Sequence, residues 1–193
     1  EQEDPGIERT YLFCGHSRGG AVANLLASYA DTVSALATAD DVRAYTFATP
    51  NCTSSADARE AAYDNIFNVL NPADLVPQLP LASWGYERYG RDVWLPGEGD
   101  ASFSALEGAM GESYLKTMGN ESPVEPGDRA VVERFATRVG ERAGSFDELV
   151  SPAGLVELAG AVAQIDVVHL LANHYPNTYV AWLDALRTEN CAT

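Results

Sequence analysis

The rhythm of hydrophobic and polar positions changes several times along this chain, and each change marks a different element. "TYLFC", Thr10 to Cys14, is a short apolar, β-favouring run closed by Gly15, and it predicts a buried strand. From Gly19 onward "GGAVANLLASYA" is rich in Ala and Leu with no breaker after Gly20, which predicts a helix starting at the turn. "VRAYTFATP", Val42 to Pro50, predicts a second strand ended by proline, and "NIFNVL", Asn65 to Leu70, a third ended by "NPAD". Helical stretches are expected before each of these strands. Strands alternating with helices predict a mostly parallel α/β sheet, with sites gathered at the carboxyl ends of the strands. "YERYGRDVWLP", Tyr86 to Pro96, predicts one more strand or a hairpin around Gly90.

Between Gly97 and about Gln164 the apolar period lengthens to that of a helix. Phe103, Leu106, Met110, Tyr114 and Met118 share one helical face, and Val131, Val132, Phe135 and Val139 share another. Short Gly and Pro breaks separate them, so a helical, cap-like segment over about 97–164 is expected. "YPNTYVAWLDALR" predicts a final helix with Pro176 near its first turn, where proline is tolerated. At 193 residues the whole reads as one domain with a sizeable core.

Charge narrows the choice of partners. Twelve Lys and Arg against 28 Asp and Glu give a formal net charge of -16, so the averaged field repels phosphate backbones, and nucleic acid is not an expected partner. No apolar run approaches the roughly 20 residues needed to span a bilayer, and the opening "EQEDPGIERT" lacks the basic and apolar regions of a signal peptide. The three cysteines, Cys14, Cys52 and Cys191, are too few and too scattered for a disulfide framework or a zinc site, although a Cys52–Cys191 bridge stays open.

The candidate chemistry lies in "FCGHSRGG". Gly15, Ser17 and Gly19 form G-x-S-x-G between a predicted strand and a predicted helix, the context in which the motif means a nucleophile elbow. A tight turn there is expected to leave no room for side chains two residues to either side of Ser17. The backbone N–H of Arg18, at the helix start, is expected to face a developing oxyanion. The alternative is a Gly-rich turn without chemistry, or one that holds a phosphate.

A serine needs a base, and three histidines compete. His16 adjoins Ser17 and is expected to pack or hydrogen-bond beneath the elbow. His169, in the apolar "IDVVHLL", reads as a satisfied core histidine. His174, in "ANHYPNTY" just before the helix that Pro176 helps to start, has the loop position expected of a base. The orienting acid should come from the end of another strand, between serine and histidine in chain order. Asp74, four residues past "NIFNVL", satisfies this, although an aspartate in "NPAD" also suits a simple turn. Asp64 precedes its strand and Asp92 lies within one, so both are poorer candidates.

With these residues in view, the chain resembles the class 3 lipases of the α/β-hydrolase fold, and among them bacterial relatives with Arg after the nucleophile. The similar stretches are "LFCGHSRGGAVANLLA", "VRAYTFATPN", "NVLNPADLVPQLPLASWGYERYGRDVWLP" and "HYPNTYVAWL". The resemblance implies Ser17 as nucleophile, Asp74 as acid and His174 as base. Two positions depart from the family: Arg18 stands where most members have Leu, and "TFATP" stands for the common "TFGAP", with Ala48 replacing glycine. A cation at a helix N-terminus costs about 0.3–1 kcal/mol without an acidic partner. The resemblance also implies several strands, a lid and a second oxyanion donor ahead of the elbow, where only about ten residues stand here. Those parts are expected either earlier in a longer parent chain, as Glu1 at the first position suggests, or on another chain.

The expected activity is hydrolysis of a lipid or small ester through an acyl-enzyme, which needs no metal or organic cofactor. An acyltransferase or peptidase on the same fold is the alternative enzyme, and a non-catalytic lipid-binding or interaction module the alternative outside enzymes. Few cysteines suit a cytoplasm, whereas relatives of this kind are often exported.

Overall fold

A computed structural model describes residues 10–32, 41–101 and 103–190. Four parallel strands form one sheet in chain order: β1 (Tyr11–His16), β2 (Val42–Phe47), β3 (Ile66–Leu70) and β4 (Arg91–Trp94). The segment around Gly90 is therefore a strand pairing with β3, not a hairpin. Among the described strands β1 is outermost on its side, and the expected burial is not seen in it: Leu12 is 65% exposed and Cys14 is also exposed.

Period-2 alternation splits the sheet into two faces. On one face Val42, Ala44 and Ile66 meet Ala27 and Ala30 of α1 (Arg18–Thr32). α1 approaches closely because it buries small residues there, Gly20, Ala23 and Ala27 among them. On the other face Phe47 and Val69 pack with α2 (Phe103–Met118) and α7 (Pro176–Asn190). Leu106, Met110 and Tyr114 of the predicted α2 stripe are buried in that core, with the Phe103 ring 5.8 Å from Trp182, while Met118 stays exposed.

The connections differ from expectation in one respect. α1 precedes β2, but only a 3-10 turn, Ala61–Tyr63, precedes β3, and β4 likewise follows only 3-10 turns. "NCTSSADARE" is rich in side chains that bond their own backbone and so compete with a helix, as Ser55 N–H does in donating to Thr53 Oγ1. The remaining helices are α3 (Asp128–Arg142), α4 (Phe146–Leu149), α5 (Pro152–Val162) and α6 (Val167–Leu170). Ser145 and Ser151 cap α4 and α5 by accepting the N–H groups of Glu148 and Gly154. α3, α4 and α5 share a separate cluster built on Phe135, Val139, Leu149 and Ala161, which packs against Leu75, Leu79 and Leu81 of the segment after β3.

Buried polar groups knit α1 to the sheet. Asn24 Nδ2 donates to Asn68 Oδ1 (2.9 Å) and to the Tyr89 carbonyl (2.8 Å), and Thr46 Oγ1 also donates to Asn68 Oδ1 (2.7 Å). Asn24, Thr46 and Asn68 have no solvent exposure, so each needs these partners. The Cys52 thiol donates to Asn24 Oδ1, and burial pushes its pKa up to about 11. Cys191 lies outside the described residues.

Candidate active site

The sequence folds into a tight elbow at the end of β1. Ser17 takes φ 58°, a left-handed conformation that costs a non-glycine residue about 1–3 kcal/mol. The surroundings hold it there: Ser17 N–H donates to the Phe47 carbonyl (2.9 Å), and its own carbonyl accepts Ala21 N–H (3.0 Å) as α1 begins. A Cβ at Gly15 would lie 2.2 Å from the Gly19 carbonyl oxygen, so glycine is required there. Gly19 does not behave as expected, since a Cβ there would meet no described atom within 4 Å. The second tight position is instead Gly20, where a Cβ would lie 2.3 Å from Thr49 Oγ1.

A neighbouring strand end repeats the device. Ala48, just past β2, takes φ 52° and is fully buried. This backbone favours glycine, which the resemblance leads one to expect at this position.

β3 ends at Leu70, and the following turn carries Asp74, which is fully buried. α6 leads into a 3-10 turn, Leu171–His174, and places His174 two residues before Pro176 at the start of α7. The fold brings all three predicted residues together. His174 Nδ1 lies 2.9 Å from Asp74 Oδ2 and 3.2 Å from Oδ1, and its Nε2 lies 2.8 Å from Ser17 Oγ. Since an ionised carboxylate only accepts, Nδ1–H donates to Asp74, which leaves Nε2 to accept the Ser17 hydroxyl proton.

Groups that the motifs did not reveal complete the site. Asp74 Oδ1 accepts Val76 N–H (2.9 Å), and Oδ2 accepts the Tyr179 hydroxyl (2.8 Å). The Tyr179 hydroxyl in turn accepts Asn71 N–H (3.0 Å). Burial first, and then the Asp74 charge, hold the Tyr179 pKa well above its ordinary value, so it remains a donor. His16 Nε2–H donates to the His174 carbonyl (2.8 Å). The only sequence signal for Tyr179 was its place on the first turns of the helix after His174.

The other candidates lie elsewhere. His169 Nε2–H donates to Asp128 Oδ1 (2.8 Å), so it has its partner, but its side chain is 25% exposed and not in the core as expected. Asp128 is nearly fully buried at the start of α3, and its Oδ2 accepts Asn173 Nδ2 (2.8 Å) and Glu125 N–H (3.0 Å). Asn173 adjoins His174, and its carbonyl accepts from Asn71 Nδ2 (3.2 Å). Asp92 pairs with Arg59 and Arg88, and Asp64 with Arg91.

Two cavities flank the segment after β3. The larger, about 730 Å³, has charged walls that include Arg59, Glu87, Arg88 and Asp92, and none of Ser17, Asp74 or His174 lines it. The other, about 480 Å³, is an open apolar groove between that segment and α3 to α5, lined among others by Pro50, Val76, Leu79, Trp84, Phe135 and Leu158. It reaches Val76, whose N–H is bonded to Asp74. Among the described residues no cluster of His, Cys, Asp and Glu could hold a metal ion, and no single helix is long and apolar enough to cross a membrane.

A parallel sheet flanked by helices, with a serine elbow at a strand end, is of the α/β-hydrolase type. Residues 3–84 match the family model Lipase (class 3). The elbow, the Ala48 turn and the Asp74 loop all fall inside the stretch that matches. Curated proteins give no match. Solved structures similar to the chain include the lipase of Rhizopus microsporus var. chinensis, at 24% identity over 44% of this chain and 30% of that one, with a TM-score of 0.39. The triacylglyceride lipase of Rhizomucor miehei is 27% identical over 45% of this chain and 33% of that one, again with a TM-score of 0.39. The chain thus spans about a third of the length of these solved lipases.

Proposed function

We propose that the chain carries the catalytic core of a serine carboxylic-ester hydrolase acting on acylglycerols or related lipid esters. The observation that carries this reading is the unbroken hydrogen-bonded series from Ser17 through His174 to Asp74, drawn from three separate elements. In the reaction, Ser17 Oγ attacks the acyl carbonyl carbon while His174 Nε2 takes its proton. The imidazolium then returns that proton to the departing alcohol as the ester C–O bond breaks, leaving an acyl-enzyme. Water repeats the cycle: His174 takes its proton, its oxygen attacks the acyl carbon, and Ser17 leaves reprotonated with the free carboxylic acid. Asp74 orients the imidazole throughout and stabilises its charged form.

Arg18 N–H, at the first position of α1, serves as one oxyanion donor, aided by the helix dipole. A second donor is assigned to the part of the fold that would extend the sheet beyond β1, on the same parent chain or on another. Two features support that placement. β1 is the last described strand on its side, and α1 exposes Val22, Leu25, Leu26 and Tyr29 at helical spacing, as a helix does when another layer covers it. The apolar groove beside Val76 supports a lipid acyl chain as substrate, since its lining offers hydrocarbon and aromatic surface to a long chain.

Covalent labelling by a fluorophosphonate tests the reading. Labelling is expected in the parent protein and lost in Ser17→Ala, while His174→Ala slows it by at least about 100-fold. A folded parent that takes up no label would show that Ser17 is not a nucleophile.

A further inference from the structure

His16 takes no part in the proton transfers above, yet it contacts the base at two places. Its Nε2–H donates to the His174 carbonyl at 2.8 Å, and its ring lies 4.8 Å from the His174 ring at an interplanar angle of 45°. Its ring also meets Tyr179 edge-on at 5.9 Å, and Tyr179 is the residue that donates to Asp74. The His174 carbonyl receives no backbone N–H among the described residues: Thr178 N–H, four residues on, donates instead to the Tyr175 carbonyl (3.0 Å). His16 therefore supplies that carbonyl with its donor. One side chain at the end of β1 links the strand that presents Ser17 to the turn that carries His174.

We propose that His16 is a positioning residue for the base. Its Nε2–H fixes the backbone of His174, and its ring backs the imidazole, so that Nε2 of His174 stays within hydrogen-bond reach of Ser17 throughout the cycle. The inference rests on the triad reading given above. It assigns to the His of "GHSRGG" a task that the motif's spacing does not state.

The electrostatic setting suits this task. A positioning group beside an imidazole that becomes charged should itself stay neutral, because a second cation there would oppose proton transfer to His174. Burial lowers the His16 pKa below its ordinary 6.5; the hydrogen bond to the His174 carbonyl acts in the opposite direction. The charged and titratable groups that face it are His174, which lowers its pKa further, and Asp74, which raises it; Tyr179 stays neutral. At neutral pH His16 is thus an uncharged N–H donor.

The test compares His16→Phe, which keeps a ring and removes the donor, with His16→Gln, which removes the ring and keeps a donor. Turnover of a short nitrophenyl ester is measured per fluorophosphonate-titrated Ser17, in the complete protein. His16→Phe is expected to lower kcat about 10- to 100-fold with KM within about threefold of the parent, since displacing a catalytic group by an ångström has effects of that size. His16→Gln is expected to recover most of the loss. A Phe variant with parental kcat, or a Gln variant no better than Phe, would overturn the inference. Nitrogen NMR of the imidazoles in the parent needs no variant to fold: it should show His16 as the Nε2–H tautomer, and finding the Nδ1–H tautomer would also overturn it. A parent that Ser17-directed label does not modify refutes the triad reading, and this inference with it. A labelled parent with a fully active Phe variant refutes this inference alone.

Discussion

The Asp74 carboxylate has no solvent exposure, and a buried charge persists only where donors surround it. Three groups do so: His174 Nδ1–H, Val76 N–H and the Tyr179 hydroxyl. The Tyr179 oxygen also satisfies Asn71 N–H, so one atom serves two buried partners. Tyr179→Phe leaves both without it and is expected to cost about 1–3 kcal/mol of stability, measured by thermal unfolding. It should lower kcat as well, because Asp74 then holds the imidazole less firmly. A variant with unchanged melting temperature and unchanged kcat would show that the hydroxyl holds nothing. Legibility in the sequence follows from how local each residue's signal is. Ser17 was legible because its turn is dictated by neighbours, with Gly15 excluded from having a side chain by the Gly19 carbonyl. His174 and Asp74 were legible from their places at element ends. Tyr179 and Asn71 were not, since their partners stand 105 and 102 residues away, and no periodicity encodes such a pairing. Gly19 misled because the motif names it, whereas the crowded position is Gly20.

At the scale of elements, the strands announced themselves through their apolar runs, but the crossovers did not. "NCTSSADARE" has alanines and charges that a helix accepts, yet its serines and threonine bond locally and only one 3-10 turn forms. The segment over 97–164 also divides in a way its composition does not disclose. α2 joins α7 in the core beneath the sheet, whereas α3 to α5 face the segment after β3 and wall the apolar groove. Asp128 at the start of α3 ties this second group to the turn that carries His174, through Asn173. Asp128→Ala should therefore destabilise the protein by about 1–3 kcal/mol, as Asn173 Nδ2, Glu125 N–H and His169 lose an acceptor together. His169→Ala breaks only one of these bonds and leaves the Asn173 contact in place, so its cost should be smaller and its turnover close to parental. Equal losses in the two variants, read by thermal unfolding and ester turnover, would show that Asp128 does not act through Asn173.

For the whole molecule, charge and apolar surface act in opposite directions at a lipid surface. The net charge of -16 repels an anionic membrane over a distance set by the ionic atmosphere, about 30 Å at 0.01 M salt and about 8 Å at 0.15 M. On the proposed reading, an acyl chain would enter the groove beside Val76 at contact distance, where repulsion is strongest. A soluble ester without charge meets no such barrier and reaches Ser17 by diffusion at any salt concentration. Hydrolysis of a lipid ester dispersed in anionic vesicles is therefore expected to rise severalfold between 0.01 and 0.15 M sodium chloride, in line with that screening. The same ester in zwitterionic vesicles, and a soluble nitrophenyl ester, should change little over this range. A rate that falls with salt on anionic vesicles would place a basic patch, rather than the averaged acidic field, at the approach to the site.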